Sequence, residues 1–337
     1  MNTSIIKHLV ICGGGPTGFL TYGAAKFLSQ KKVWNINEIE TIYGTSIGAY
    51  MGLLFALKYE WETLDDYIIK RPWEKVANIQ AKDYFSVFTE KGLVPNDFIK
   101  ETLRPLIEAK DLSIDVTLKE FYDYSQIEFH MYTVDLNQIP LSSIDLSYKT
   151  HPDLSLVKAI QMTTCFPIVF RPICDDNACY IDGGLLNNYP LRTCLEQTEC
   201  DPCEILGFRN IIERRHESDG FKDDNKIEGI TKESSLFDYI VFLMKQMTRT
   251  IDTVKDQPDI ENSVDCTLYY REGGYNNWID SLIVRENREN MIQEGMEFGR
   301  LFYEKKLSNG KDETHVKKEE TMKEETMKEE TMKAECV

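Results

Sequence analysis

The sequence predicts an α/β protein whose central sheet is mostly parallel. Short apolar stretches of strand length recur along the first half of the chain, two of them end in glycine-rich turns, and a helix-like stretch follows each of those turns. Alternation of this kind is typical of a parallel sheet with helices on both faces. The expected architecture is therefore a three-layer α/β/α fold.

The individual elements follow from hydrophobic periodicity and from the positions of glycines. Apolar runs predict strands, and apolar residues at helical spacing predict helices. The predicted strands are 8–12, 39–43, 127–134 and 180–181, and the predicted helices are 19–29, 49–58, 154–162, 235–252 and 286–306. The stretch 61–110 is rich in aromatic and charged residues and is expected to be mainly helical.

Changes in composition divide the chain into three parts. We expect a catalytic core over residues 1–205 and a helical C-terminal extension, packed on that core, over residues 206–308. Within the extension, the charged stretch 212–233 is expected to be a loop. Residues 309–337 are low in complexity, repeat the motif Lys-Glu-Glu-Thr-Met from Lys318 on, and have no steady apolar face, which predicts a charged, disordered tail.

Charge and cysteine content narrow the class of protein. A formal net charge of -17 disfavours binding to nucleic acid through bulk electrostatics. The nine cysteines are scattered, the N-terminus does not resemble a secretory signal, and no apolar run approaches the length of a membrane span. We therefore expect an intracellular protein, either cytoplasmic or peripherally associated with a membrane. The oligomeric state stays open.

The motif Gly44-Thr45-Ser46-Ile47-Gly48 lies between a predicted strand and a predicted helix. In this context G-x-S-x-G is typical of a sharp turn that exposes a nucleophilic serine, and Gly44 and Gly48 avoid clashes around it. The simpler interpretation is a glycine-rich turn that only starts a helix. The surrounding strand and helix favour the nucleophile.

The segment Gly13-Gly14-Gly15-Pro16-Thr17-Gly18 also joins a strand to a helix, and it matches G-x-G-x-x-G. A dinucleotide site requires an acidic residue at the end of the next strand, whereas Glu38 and Glu40 come before that strand. A set of glycine N–H groups beside a nucleophile instead favours an oxyanion hole, to which Gly13, Gly14, Gly15 and Gly18 are assigned.

A third motif, Asp182-Gly183-Gly184, follows an apolar strand and places a carboxylate where it can face the serine. An ordinary Asp-Gly turn is the alternative. A Ser-His-Asp triad in the order of the α/β-hydrolases would have to use His216 or His315, and both lie in charged segments. A Ser-Asp dyad requires no histidine and is favoured here.

The three motifs, in this order, resemble those of the patatin-like phospholipases, a family of lipid acyl hydrolases. The resemblance covers residues 7–203, and it includes the helix and proline turn 156–167 and the Asn-Pro segment 187–190. It implies a three-layer α/β/α fold and hydrolysis of fatty acyl esters through an acyl-enzyme intermediate. The substrate implied is a lipid or a membrane surface, and neither a cofactor nor a metal is implied.

Carried over by this resemblance, Ser46 is the nucleophile, Asp182 is the base, and the N–H groups of Gly14 and Gly15 hold the oxyanion. The sequence departs from the family at Thr17, where an Arg or Lys is usual. An inactive relative that binds lipid without cleaving it is the first alternative function. A nucleotide-binding α/β protein is the second.

Two further features allow more than one interpretation. The pair Cys200 and Cys203, together with Cys174, Cys179 and Cys194, could suggest zinc, but the spacing favours free thiols. The predicted helix 235–252 carries a run of apolar residues that favours core packing. A lid or a membrane-docking face is the functional alternative for this helix, and complete burial of the helix would exclude it.

Overall fold

The computed structural model describes residues 4–77, 87–95, 97–213, 230–232, 234–254, 258–269 and 281–308. The predicted charged tail and nearly all of the predicted 212–233 loop lie outside these ranges, so those two expectations stay predictions. His216 and His315 lie outside them as well.

Ten strands are found in the described ranges, and their bounds are as follows. They are β1 (His8–Ile11), β2 (Thr41–Thr45), β3 (Gly92–Val94), β4 (Glu128–Asp135), β5 (Ser143–Leu146), β6 (Ile168–Phe170), β7 (Ile173–Cys174), β8 (Cys179–Asp182), β9 (Ile205–Glu213) and β10 (Ser263–Tyr269).

Eight of these strands form one central sheet, in the order β10-β9-β1-β2-β4-β8-β7, with β5 also paired to β4. Neighbours from β10 to β4 run parallel, whereas β5 and β8 are antiparallel to β4 and β7 is antiparallel to β8. Strands β3 and β6 form a separate parallel pair. The prediction of a mostly parallel sheet is confirmed.

Helices connect these strands, and the five helices that were predicted individually have bounds close to the predicted ones. The helices are α1 (Gly18–Gln30), α2 (Ile47–Ala56), α3 (Trp61–Asp65), α4 (Trp73–Ala77), α5 (Asp97–Glu108), α6 (Leu118–Ser125), α7 (Leu156–Thr164), α8 (Leu191–Thr198), α9 (Leu236–Val254) and α10 (285–308). A π-helical turn, Asp66–Lys70, extends α3.

Alternate side chains of β1 enter two separate cores, one on each face of the sheet. Leu9 and Ile11 pack in the larger core with residues of α1, α2 and α7, whereas Val10 and Cys12, the residue after β1, pack in a smaller core with Leu191 of α8. Successive strand residues point to opposite faces, so a strand buried on both faces carries a continuous apolar run. The three-layer arrangement is confirmed.

The segment predicted as a helical extension is only partly helical. Beyond residue 205 the chain contributes β9, which pairs with β1, and β10, which pairs with β9. Residues 212 and 213, predicted as loop, are the last two of β9. A short apolar run is ambiguous in periodicity, and pairing with β1 is what makes it a strand. The central sheet therefore crosses the predicted boundary.

Helix α10 packs closely on α1 through glycines. A Cβ atom at Gly295 would lie 2.1 Å from the carbonyl oxygen of Leu20, and a Cβ at Gly23 would lie 2.1 Å from that of Ile292. Farther along the pair, the ring of Tyr303 contacts that of Phe27. The C-terminal half of α10 therefore lies against the C-terminal half of α1.

Candidate active site

Ser46 occupies a strained turn between β2 and α2. Its backbone has φ 56° and ψ -127°, a left-handed conformation that is unfavourable for a residue with a side chain. A Cβ at Gly48 would lie 2.3 Å from the carbonyl oxygen of Ile11, so only glycine fits there. This geometry is that of a nucleophile elbow, and it leaves Ser46 partly exposed.

The Asp182 carboxylate accepts a hydrogen bond from the Ser46 hydroxyl. Ser46 Oγ lies 2.5 Å from Asp182 Oδ2, and the N–H of Gly184 donates to Asp182 Oδ1 at 2.7 Å. Only 3% of the aspartate is exposed. Burial raises the pKa of Asp182 to about 6, against the lowering effect of the two hydrogen bonds. The carboxylate is therefore mostly ionised at neutral pH and is basic enough to accept a proton.

Strand β4 aligns the two residues, although 136 positions separate them in sequence. Tyr132 pairs with Thr45, directly before the serine, and the next residue, Thr133, pairs with Asp182. A Cβ at Gly183 would lie 2.1 Å from the carbonyl oxygen of Tyr132, so the chain can turn close to β4 only with glycine at this position. Packing against β4 therefore requires the glycine that follows Asp182.

Thr163 on α7 holds the serine turn in place, and the sequence carried no signal for this role. The N–H of Ser46 donates to Thr163 Oγ1 at 3.0 Å, and the same hydroxyl donates to the carbonyl oxygen of Tyr132 at 2.5 Å. One side chain thus ties the turn to β4, which fixes the direction in which the serine hydroxyl points.

The glycine-rich turn lies beside the nucleophile. A Cβ at Gly13 would lie 3.2 Å from Ser46 Cβ. The N–H of Gly13 donates to the Asn188 carbonyl at 3.0 Å, and the N–H of Gly18 donates to the carbonyls of Gly15 and Pro16. Within the described ranges, the N–H groups of Gly14 and Gly15 have no such acceptor. Of the four glycines assigned to an oxyanion hole, Gly13 and Gly18 therefore use their N–H groups to shape the turn, whereas those of Gly14 and Gly15 stay available to a ligand.

Asn210 of β9 holds the glycine-rich turn by hydrogen bonds, and the sequence did not indicate this role. Its Nδ2 donates to the Gly13 carbonyl at 3.2 Å and to Thr17 Oγ1 at 2.5 Å. Asn188, in the predicted Asn-Pro segment, also reaches the Gly13 carbonyl, at 3.5 Å. Thr17 stands where the family usually carries a cation, and its hydroxyl accepts a hydrogen bond from the Asn210 side-chain amide. Only the pairing of β9 with β1 brings Asn210 to this turn.

The geometry disagrees with a nucleotide site at the glycine turn, and the described histidines lie elsewhere. Glu40 bonds through its N–H to the Lys7 carbonyl before β1, so it lies at the opposite end of the sheet from the glycine turn and cannot serve a nucleotide there. The described histidines contact other groups: His8 contacts Thr41, His151 contacts Thr150, and His130 lies between Glu128 and Asp145.

The cysteines differ in part from the prediction of free thiols. Cys174 and Cys179 form a disulfide across the β7–β8 hairpin, because strand pairing places them directly opposite each other. Cys194, Cys200 and Cys203 are free, as predicted. Within the described ranges, no cluster of three or more Cys, His, Asp or Glu side chains has a geometry that could hold a metal ion.

Comparison with known proteins assigns the chain to a family. The model of the family described as patatin-like phospholipase matches residues 9–195, more than half of the chain, and this range includes all three motifs. The chain belongs to the patatin-like phospholipase family. Membership supports lipid hydrolysis as the class of activity.

Two relatives are viral proteins. "Uncharacterized protein R571" of Acanthamoeba polyphaga mimivirus is 24% identical over 250 residues, which cover 74% of this chain and 78% of that protein. "Probable lipid hydrolase 463L" of Invertebrate iridescent virus 6 is 28% identical over 192 residues, covering 56% of this chain and 63% of the relative. The chain therefore spans less than two thirds of the second relative.

Among solved structures, VipD from Legionella pneumophila shares the fold, with a TM-score of 0.50. The alignment has 13% sequence identity and covers 89% of this chain and 67% of the VipD chain. At that identity the likeness concerns the fold alone.

Among the helices of the described ranges, none combines the length and the apolar character that a membrane span requires.

Proposed function

We propose that this chain is a serine-dependent lipid acyl hydrolase that works through an acyl-enzyme intermediate. The observation that carries the proposal is the 2.5 Å contact between Ser46 Oγ and Asp182 Oδ2 at a strained elbow. A buried carboxylate with a raised pKa, in contact with a serine hydroxyl, is a suitable general base for nucleophilic catalysis.

The proposed reaction has two halves. In the first, Asp182 accepts the Ser46 proton while Oγ forms a bond to the ester carbonyl carbon, and the N–H groups of Gly14 and Gly15 stabilise the oxyanion. Collapse of the tetrahedral intermediate breaks the ester C–O bond. Asp182 then returns the proton to the departing alcohol, which leaves an acyl ester on Ser46.

In the second half, Asp182 takes a proton from water, and the resulting hydroxide attacks the acyl-enzyme carbonyl. The intermediate collapses, the fatty acid leaves, and the proton returns to Ser46 Oγ. No redox partner or metal is needed to balance either half. The substrate class follows from the family and from the name of the iridescent-virus relative, and we take it to be a phospholipid or lysophospholipid ester.

The first test is the release of fatty acid from phosphatidylcholine vesicles and from lysophosphatidylcholine. Ser46→Ala and Asp182→Asn should each lower the rate by at least about 10³-fold, because each removes a member of the reacting pair. The matched controls are Ser308→Ala and Asp66→Asn, which make the same chemical changes at exposed positions. Both controls should keep the wild-type rate.

A fluorophosphonate probe supplies an independent readout. It should label the wild-type chain at Ser46, label Asp182→Asn much more slowly, and leave Ser46→Ala unlabelled. If wild type releases no fatty acid from phospholipid, lysophospholipid or neutral glyceride, and the probe does not label it, the proposal fails. The chain would then be a lipid-binding member of the family.

A further inference from the structure

The loop between β4 and β5 exposes apolar side chains without any charge among them. Residues 136–142 read Leu-Asn-Gln-Ile-Pro-Leu-Ser, in a chain where 28% of residues are charged. Ile139 is 96% exposed, Leu136 46% and Leu141 41%. Single exposed apolar residues are ordinary, but three within seven uncharged residues form a patch that water solvates poorly.

This loop leaves the sheet at the same end as the reactive pair. Thr133 of β4 pairs with Asp182, and the strand continues through Asp135 before the loop begins at Leu136. Three residues of strand carry the chain roughly 10 Å, so the loop stands about that far beyond the level of the dyad. A surface that touches the loop therefore faces the edge of the sheet that carries Ser46.

A second apolar surface belongs to α9, which contacts the turn 183–185 directly after Asp182 and also contacts β6. Leu236, Tyr239, Leu243 and Met247 are between 43% and 63% exposed. Their spacing of three, four and four residues places them on one face of the helix. The predicted role of α9 in core packing is therefore incomplete, because this face remains in contact with solvent.

The charges around the loop favour a lipid surface without net charge. The loop has no cation of its own, and Asn137 binds the Asn177 carbonyl in the adjacent hairpin, where Asp175 and Asp176 are both exposed. The whole chain has a net charge of -17. An anionic surface would be repelled, whereas a zwitterionic lipid surface carries no net charge to oppose burial of the apolar side chains.

We infer that the loop 136–142 and the exposed face of α9 dock this chain on a zwitterionic lipid surface, with the Ser46–Asp182 edge turned toward that surface. The inference rests on the proposed function, because it supplies the hydrolase with the interface in which its substrate lies. Beyond the proposed function, the inference names the part of the molecule that contacts the membrane and the class of lipid that it binds.

Binding is measured by cosedimentation of the full-length Ser46→Ala chain with phosphatidylcholine vesicles, so that turnover cannot alter the lipid. The loop variant Ile139→Ser with Leu141→Ser, and the helix variant Leu243→Ser with Met247→Ser, should each lower the partition coefficient at least about tenfold. Adding phosphatidylserine to the vesicles should weaken binding of the parent chain.

The matched control is Leu301→Ser with Leu307→Ser, which removes two exposed apolar side chains from α10. That part of α10 packs beside the C-terminal half of α1, far from the catalytic edge. The control should bind vesicles within about twofold of the parent. Unfolding curves for each variant establish that a loss of binding is not a loss of folding.

Activity separates this inference from the proposed function. With Ser46 restored, the loop variant should hydrolyse a soluble short-chain ester at the wild-type rate but vesicle phospholipid at least about tenfold more slowly. Loss of vesicle binding in both docking variants upholds the inference even if no ester is cleaved. Unchanged vesicle binding in both variants, or stronger binding to phosphatidylserine vesicles, overturns the inference and leaves the hydrolase proposal intact.

Discussion

Neutralising the buried aspartate should stabilise the fold while it abolishes activity. Burial raises the pKa of Asp182 from 3.8 to about 6, so between these values the folded chain binds more protons than the unfolded chain. Stability therefore falls as the pH rises through this window. The folded protein is least stable, with respect to this group, above pH 6, where the carboxylate is ionised and ready to act as a base.

The size of the effect follows from the shift. About two pKa units correspond to about 3 kcal/mol of unfolding free energy, at 1.36 kcal/mol per unit. Asp182→Asn keeps the shape of the side chain. Its amide oxygen can still accept from the N–H of Gly184, and its NH₂ group can donate to Ser46 Oγ. The variant should gain about 3 kcal/mol at pH 8 and less than about 1 kcal/mol at pH 4, where the folded wild-type carboxyl is neutral and the unfolded one is only partly ionised.

The assay is urea unfolding of both chains at pH 4 and pH 8, followed by circular dichroism. Asp175→Asn serves as the control, because backbone N–H groups of Asn177 and Ala178 lower the pKa of that exposed carboxyl. Its neutralisation should give no stabilisation at pH 8. If Asp182→Asn is no more stable than wild type at pH 8, or gains equally at both pH values, the desolvation argument is wrong.

Three further outcomes follow from the structure. On a soluble ester, kcat/KM should fall about tenfold per pH unit below about pH 6, because protonation removes the Asp182 base; a flat profile from pH 5 to 7 would exclude it as the base. Arg288→Leu should destabilise the fold by about 3–5 kcal/mol, since the buried guanidinium donates to three main-chain carbonyls. At the exposed Arg300, the same change to Leu should lower the unfolding free energy by less than about 1 kcal/mol. Equal losses of stability in the two variants would contradict the argument from burial. Asn210→Ala should lower kcat about tenfold to a hundredfold with an unchanged pH profile, because the glycine turn loses two hydrogen bonds; an unchanged kcat would show that the turn holds without it.

Much of the fold was predictable because its signals are local. A continuous apolar run of strand length, such as Leu9-Val10-Ile11 in β1, indicates burial on both faces. Glycines placed directly after β1 and around Ser46 indicate turns that tolerate no side chain. The three motifs also predicted Ser46 and Asp182, because nucleophile elbows and Asp-Gly turns are short and continuous in sequence.

Local patterns did not predict features that depend on pairing between distant segments. The sequence places β9 within a helical extension and the structure makes it a strand, because an apolar run becomes a strand only when a neighbour accepts its hydrogen bonds. Cys174 and Cys179 are five residues apart, and strand pairing in a hairpin brings their sulfur atoms together. The contact between Asn210 and the glycine turn has the same origin, since β9 must first lie beside β1.

The sequence by itself determined the alternation of β1, β2 and β4 with helices, the family, and the two residues that carry the proposed chemistry, because each is written in a few adjacent positions. Only the tertiary structure decided which glycine N–H groups remain available, that Thr163 and Asn210 hold the site, and that an uncharged apolar loop stands on the catalytic edge. These properties depend on the register of β4 and on the pairing of β9 with β1, and register is set by contacts between segments far apart in the chain.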